Sequence, residues 1–134
     1  MRYSLDTNTC IRYINGRSPG VRAKLPTIPT HEVIVCSVVR AELFYGAAKS
    51  QVPALSRQKQ DQFLHPYATL PFGDLAADTY GQIRALLERA GTPIGPLDLQ
   101  IAAIALAHGL TLVTHNTREF GRVPGLNLED WETL

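Results

Sequence analysis

Short apolar runs alternate with longer stretches of helical period along this 134-residue chain. Arg2 to Leu5 reads as a short strand that passes through Asp6-Thr7-Asn8-Thr9 into a helix ending near Asn15-Gly16. A polar cap from Thr7, Asn8 or Thr9 suits that turn. Ser18-Pro19 sets an N-cap before a proline at the first helical position and predicts a second short helix to about Leu25. Val33-Ile34-Val35-Cys36 is apolar without alternation, the pattern of a strand covered on both faces. Ser37 can cap a helix over about Val38 to Ala48, and beyond Pro53 another spans Ala54 to Leu64, with a short strand at Ala68 to Leu70. Leu75, Tyr80, Ile83, Leu86 and Leu87 recur near the helical repeat, so a helix runs from Leu75 to Ala90 between an Asp74 cap and a Gly91 stop. Leu97 to His108 is apolar almost all round and closes at Gly109, and Thr111 to Thr114 reads as a strand. This alternation predicts the α/β class, a parallel sheet with helices on both faces. No repeat, linker or low-complexity segment divides the chain, so residues 1–134 are read as one domain.

Composition places the chain among ordinary globular proteins: 45% of residues are hydrophobic and 19% charged, outside the regime of disorder. No apolar stretch reaches the roughly 18 residues of a membrane helix, and Met1 to Asp6 carries no leader-like apolar segment, so a cytoplasmic location is expected. Cys10 and Cys36 stand beside apolar residues and read as two reduced, packed thiols. The net charge of +1 says nothing about partners; its distribution says more, although composition alone favours an ordinary solvated mixed surface. Arg2, Arg12, Arg17, Arg22 and Lys24 face one acid, Asp6, in the first 25 residues, whereas Glu129, Asp130 and Glu132 close the chain. If four of the 12 acids gather in one site, the 13 basic residues outnumber the rest by five, which suits a metal site receiving a polyanion.

Open parallel sheets bind ligands at the carboxyl ends of their strands, and several oxygen-bearing side chains fall there. Asp6 follows the first strand, Glu42 lies about one turn into the helix after the second, Asp98 begins the helix before the Thr111 strand, and Asn116 and Glu119 follow that strand. Each has a plainer reading. Asp6 and Asp98 can cap helices, Glu42 can be a solvated acid, and Asn116 and Glu119 can belong to a polar loop. Against these, Glu42 has Val38, Val39, Ala41, Leu43 and Phe44 for neighbours, and a carboxylate heading so apolar a helix as Leu97 to Ala107 needs a compensating partner. Clustered carboxylates without histidine or cysteine favour a hard cation, magnesium with manganese as its substitute. His31, His65, His108 and His115 have no zinc spacing; three read as structural or solvent-facing, while His115 lies beside the candidate site and can touch a substrate.

Four stretches resemble successive motifs of the PIN-domain ribonucleases of the VapC toxin family: Leu5-Asp6-Thr7-Asn8-Thr9, Ala41-Glu42-Leu43 with Gly46 beyond, Gly95-Pro96-Leu97-Asp98, and Val113-Thr114-His115-Asn116-Thr117-Arg118-Glu119-Phe120. The resemblance reaches the closing Leu128-Glu129-Asp130-Trp131. It implies a PIN-like three-layer α/β/α sandwich and the toxin of a type II toxin-antitoxin pair, a Mg2+-dependent endoribonuclease acting on structured RNA, with transfer RNA favoured. Carried over by position, Asp6 and Asp98 are the principal metal ligands and Glu42 the third. Glu119 completes the catalytic acids or yields that place to Asn116, which stands where PIN domains often carry an acid. Asn8, Thr114 and Asn116 then position the acids or the substrate. A homodimer and a cognate VapB-like antitoxin are the implied partners.

Two other readings compete. Asp6-Thr7-Asn8-Thr9 after a first strand is similar to the aspartate loop of haloacid-dehalogenase-like phosphatases, but Asn8 stands where such an enzyme needs its second acid. A non-catalytic module binding RNA or a partner would require a broken acid cluster, whereas three acids are intact.

Overall fold

Four short strands, β1 (Tyr3–Leu5), β2 (Val33–Ile34), β3 (Thr111–Val113) and β4 (Leu128–Glu129), form one parallel sheet in the order β2-β1-β3-β4. The structure is a computed structural model and describes residues 1 to 133. Ser4 pairs with Ile34 on one side and with Leu112 on the other, so β1 is central. Successive strand side chains point to opposite faces, yet Tyr3, Ser4 and Leu5 are all buried, so both faces are covered.

The cover comes from α1 (Thr7–Asn15), α2 (Pro19–Lys24), α3 (Ser37–Ala48), α4 (Pro53–Leu64), α5 (Asp74–Arg89), α6 (Pro96–Ala107) and α7 (Thr117–Phe120). The sandwich expected from the sequence is the observed architecture. Helices α5 and α6 pack together, as do α3 and α4. The all-round apolar character of α6 has its reason in burial: Leu99 and Ile101 to Ala105 are all inside. Cys10 and Cys36 are free and buried, and burial pushes both thiols up.

Several ends differ from the sequence reading. The cap of α1 is Asp6, one of the two roles its sequence position allows, with Oδ1 accepting the Thr9 amide at 2.8 Å; the caps expected at Thr7, Asn8 or Thr9 are not the ones used. Neither Ser37 nor Asp74 caps; each is the first residue of its helix, after Cys36 and Gly73. Asp98 does not cap α6 either, because Gly95 holds that position and Asp98 lies in the first turn. Ser18 caps α2 as expected, accepting from the Val21 amide, and Gly16 ends α1 in the left-handed region at φ +66°. The strand expected at Ala68 to Leu70 is reduced to a single bridge between Ile34 and Ala68, clamped by Arg40, whose guanidinium donates to the Val35 and Tyr67 carbonyls. The strand β4 and the helix α7 have no counterpart among the elements that the sequence pattern predicts.

The strand order sets the location of the site. From β1 the chain crosses to β2 on one side, then returns past β1 to β3 on the other, so a crevice opens outside the carboxyl ends of β1 and β3. Asp6 and Thr114 are the residues that immediately follow those strands.

Candidate active site

A cavity of about 110 Å³ lies at this crevice, lined by Asp6, Thr7, Asn8, Glu42, Asp98, Asn116 and Phe120. Four chain segments meet in it: the β1–α1 turn, α3, the first turn of α6, and the β3–α7 turn. Three of the four expected acids, with Asn8 and Asn116, therefore face one space. Glu119 stands behind them, where it receives the Asn116 Nδ2 at 2.8 Å and the Gly95 amide at 3.4 Å. Thr114 is fully buried next to Asp6, where its side chain favours the charged carboxylate, and its hydroxyl accepts the Asn116 amide at 3.0 Å.

Asp6 is only 5% exposed. Burial raises its pKa, while hydrogen bonds from Thr114 and Thr9 oppose the rise by favouring the charged form. Glu42 is held by Thr7, whose hydroxyl donates to Oε1 at 2.6 Å. That contact spans 35 positions and had no signal in the sequence. Asp98 has no such support among the described residues. Burial, followed by the charges of Glu119, Glu42 and Asp6, pushes its pKa from 3.8 up to about 6.

This repulsion yields a prediction about stability. Between about pH 4 and 6 the folded protein retains a proton on Asp98 that the unfolded chain has released, so stability from this group is present at low pH and lost as pH rises through about 6. In chelator at pH 7.5, Asp98→Asn is therefore expected to melt a few degrees above the parent, with the two converging near pH 4. After solvent screening of a half-exposed carboxyl, the gain is on the order of 1 kcal/mol. Equal melting temperatures for the two proteins at pH 7.5 would show that the acids do not repel.

Among the described residues, no three His, Cys, Asp or Glu side chains are gathered into a preformed coordination shell. Two of the acids are instead engaged locally, Glu42 with Thr7 and Glu119 with Asn116. An all-oxygen donor set carrying uncompensated negative charge fits a hard divalent cation and does not fit zinc.

His115 stands on the rim, with its Nδ1 2.9 Å from Asp130 Oδ2. Of the basic residues near the start of the chain, Arg12 turns to Glu132 at 3.5 Å beside the site, whereas Arg22 is occupied with the Tyr13 carbonyl and ring. The Asp130 and Glu132 contacts were not read from the sequence, where both residues looked like part of an acidic tail.

The sequence matches the PIN domain family over residues 3–126. It is 40% identical over 131 residues to the tRNA(fMet)-specific endonuclease VapC of Salmonella typhimurium, covering 98% of each chain. It is 39% identical to ribonuclease VapC2 of Rickettsia felis, covering 98% of this chain and 99% of that one. Among solved structures, the DNA-bound VapBC of Salmonella typhimurium superposes with a TM-score of 0.92 at 40% identity over 98% of each chain. VapBC-1 of nontypeable Haemophilus influenzae superposes with a TM-score of 0.88 at 31% identity, again over 98% of each.

Proposed function

The chain belongs to the PIN domain family, in its VapC branch, and from that premise we propose that it is the toxin of a type II toxin-antitoxin pair, a metal-dependent endoribonuclease that cuts transfer RNA at an exposed loop. The observation that carries the reading is the convergence of Asp6, Glu42 and Asp98 on one cavity at the switch point of the sheet. Asp6 and Asp98 are the groups to hold Mg2+, with Mn2+ as substitute and Glu42 as third ligand. When bound, the cation supplies Lewis-acid polarisation of the scissile phosphate and acidifies water.

The chain's own residues supply the rest. Thr114 and the Thr9 amide support the Asp6 carboxyl, and Thr7 holds Glu42, which in this reading orients the attacking water and accepts its proton. Asn8 and Asn116 line the cavity and offer amide donors to phosphate oxygens. In-line attack forms the bond from water oxygen to phosphorus and breaks the bond to the 3′-oxygen, leaving a 5′-phosphate and a 3′-hydroxyl. Side chains cannot read the deep, narrow major groove of an RNA helix, whereas splayed loop bases reach a recessed site. Two relatives, from Salmonella typhimurium and Shigella flexneri, carry tRNA(fMet) in their names, which supports transfer RNA as the class. With magnesium, the purified protein is expected to nick folded transfer RNA at one loop position and to leave 5′-phosphate ends. Intact folded transfer RNA beside unstructured RNA degraded at many positions would remove the loop claim and leave the general nuclease. No cleavage of any RNA, with magnesium or manganese, would remove both.

The antitoxin partner is supported by the VapBC assemblies among the solved relatives and by a groove of this chain. The groove, about 300 Å³, runs between α1, α3 and α4, with Ile11, Ile14, Leu43 and Gly46 among its walls together with Glu42. An amphipathic helix fits the apolar part, and an arginine beyond it can pair with the acids. Nothing stands within 4 Å of where a Gly46 side chain would start, so Gly46→Trp can fold while filling the groove. It should cut RNA as the parent does but escape neutralisation by a VapB-type antitoxin; neutralisation at parental concentrations would sink the groove assignment. Leu75 and Leu86, about three turns apart on one stripe of α5, are exposed together with Leu97 and suit a homodimer face. Light scattering should show two chains per particle at micromolar concentration, and a monomer throughout would refute that.

A further inference from the structure

A second cavity, about 300 Å³, adjoins the acid cavity and shares Asp6, Asn8 and Asn116 with it; its other walls are Arg12, His115 and Glu132. We propose that this cavity receives the unstacked base of the nucleotide next to the scissile phosphate, with His115 as the stacking face and Glu132 reading the base edge. The inference rests on the RNA-cleavage reading above and adds to it a subsite for one base.

Size, charge and rigidity argue for a base. The volume stands at the low end of small-molecule pockets, room for one planar ring system and not for a dinucleotide. The walls are poorly suited to a phosphate. Asp6 and Glu132 line the cavity, Asp130 lies directly behind His115, and the positive charge of Arg12 is already answered by Glu132 at 3.5 Å. A neutral base carrying both donors and acceptors is not repelled. A carboxylate accepts from a ring N–H or an exocyclic amino group, and the Asn8 and Asn116 amides can give or take hydrogen bonds.

The wall is also built to stay in place. Asp130 uses both oxygens, Oδ2 on the His115 ring and Oδ1 on the Glu132 amide at 2.9 Å, so one carboxylate ties the two residues together. Trp131, between Asp130 and Glu132 in the chain, is 2% exposed and packs edge-on against Tyr3 of the central strand, with ring centroids 5.3 Å apart. The His115 side chain is nevertheless 57% exposed, so one ring edge is fastened while the ring itself stays accessible. Unpaired RNA bases are commonly held on such aromatic or guanidinium planes.

The test uses an RNA hairpin carrying the mapped cleavage position, with a single abasic nucleotide placed in turn on either side of the cut. For the parent enzyme, loss of one of the two flanking bases is expected to raise KM about tenfold, the lower part of the range for losing one stacked base. His115→Ala should raise KM on the intact hairpin by a similar factor, with the loss falling on KM rather than on kcat, and the abasic substrate should add little further. His115→Phe keeps an aromatic plane but drops the Asp130 contact; it should recover most of the affinity, which a merely structural role for the His115–Asp130 pair would not allow. Glu132→Gln should change which base is preferred at that nucleotide. Parent enzyme that cuts the hairpin but ignores both abasic positions, or a His115→Phe as impaired as His115→Ala, would overturn the base pocket and leave the nuclease reading standing. Failure to cut any RNA would overturn both.

Discussion

Asp98→Asn is expected to reduce RNA cleavage by about a thousandfold or more while the protein stays folded, and Asp6→Asn to do the same. Charge stabilisation by a bound cation is worth several kcal/mol in the transition state, and each 1.36 kcal/mol is a factor of ten. The two variants lose the same charge from different structural settings, and that makes them useful together. Asp98 is half-buried, takes no hydrogen bond from the described residues that holds its charge, and is pushed up to about 6 by burial and by three neighbouring acids, so neutralising it relieves the metal-free protein. Asp6 is an N-cap as well as a candidate ligand. Asparagine caps about as well as aspartate, so Asp6→Asn separates the two roles, whereas Asp6→Ala would also cost about 1 kcal/mol of helix. Cleavage should be followed by gel on labelled RNA, with isothermal titration of Mn2+ and circular dichroism on the same samples. A folded Asp98→Asn that cuts at the parental rate would end the assignment of this cavity as the metal centre.

The double duty of Asp6 shows what a sequence can and cannot say. Read alone, the residue after β1 was as much a helix cap as a site residue, and in the structure it is an N-cap that also lines the acid cavity. The same oxygen chemistry suits both: a carboxylate that accepts a backbone amide at a helix start is fixed in direction, which is what a preorganised ligand requires. Asp98 was conspicuous because an acid at the head of an apolar helix needs an explanation, and the burial of Leu99 and Ile101 to Ala105 accounts for the apolar character.

Other features were not legible, each for a physical reason. The strand β4 has two residues and α7 has four, too short for either to display a period. The caps at Cys36, Gly73 and Gly95 carry no side-chain hydrogen bond, so the polar residues beside them drew the boundary one or more positions too far along. The Thr7–Glu42, His115–Asp130 and Arg12–Glu132 contacts join segments far apart in the chain. Local pattern cannot register such pairs. Asp130 and Glu132 therefore looked like an acidic end of chain, when they are held against the site by the tryptophan between them.

That tryptophan carries the other large expected effect. Trp131→Ala should destabilise the protein by about 3–5 kcal/mol, the range for removing a buried aromatic side chain. Trp131 is 2% exposed, meets Tyr3 of β1 at an interplanar angle of 70°, and donates from Nε1 to Glu129 Oε1 at 2.9 Å. The variant would leave a void against the central strand and free the Glu129 carboxylate of its partner. A domain of ordinary stability has about 5–15 kcal/mol in hand, so the variant should remain folded in the cold yet melt far below the parent. The loss should spread to the site, because β4 pairs with β3 through Leu128 and Glu129 and the following residues carry Asp130. Trp131→Phe keeps the ring packing and gives up only part of the volume and the indole hydrogen bond, so it should retain most of the stability. Urea unfolding of the three proteins, followed by far-ultraviolet circular dichroism, measures both steps. A Trp131→Ala midpoint within experimental error of the parent would mean that the closing segment merely lies on the sheet. The expected large drop, reduced in Trp131→Phe, would mean that the segment is part of the core that holds the His115 wall beside the acids.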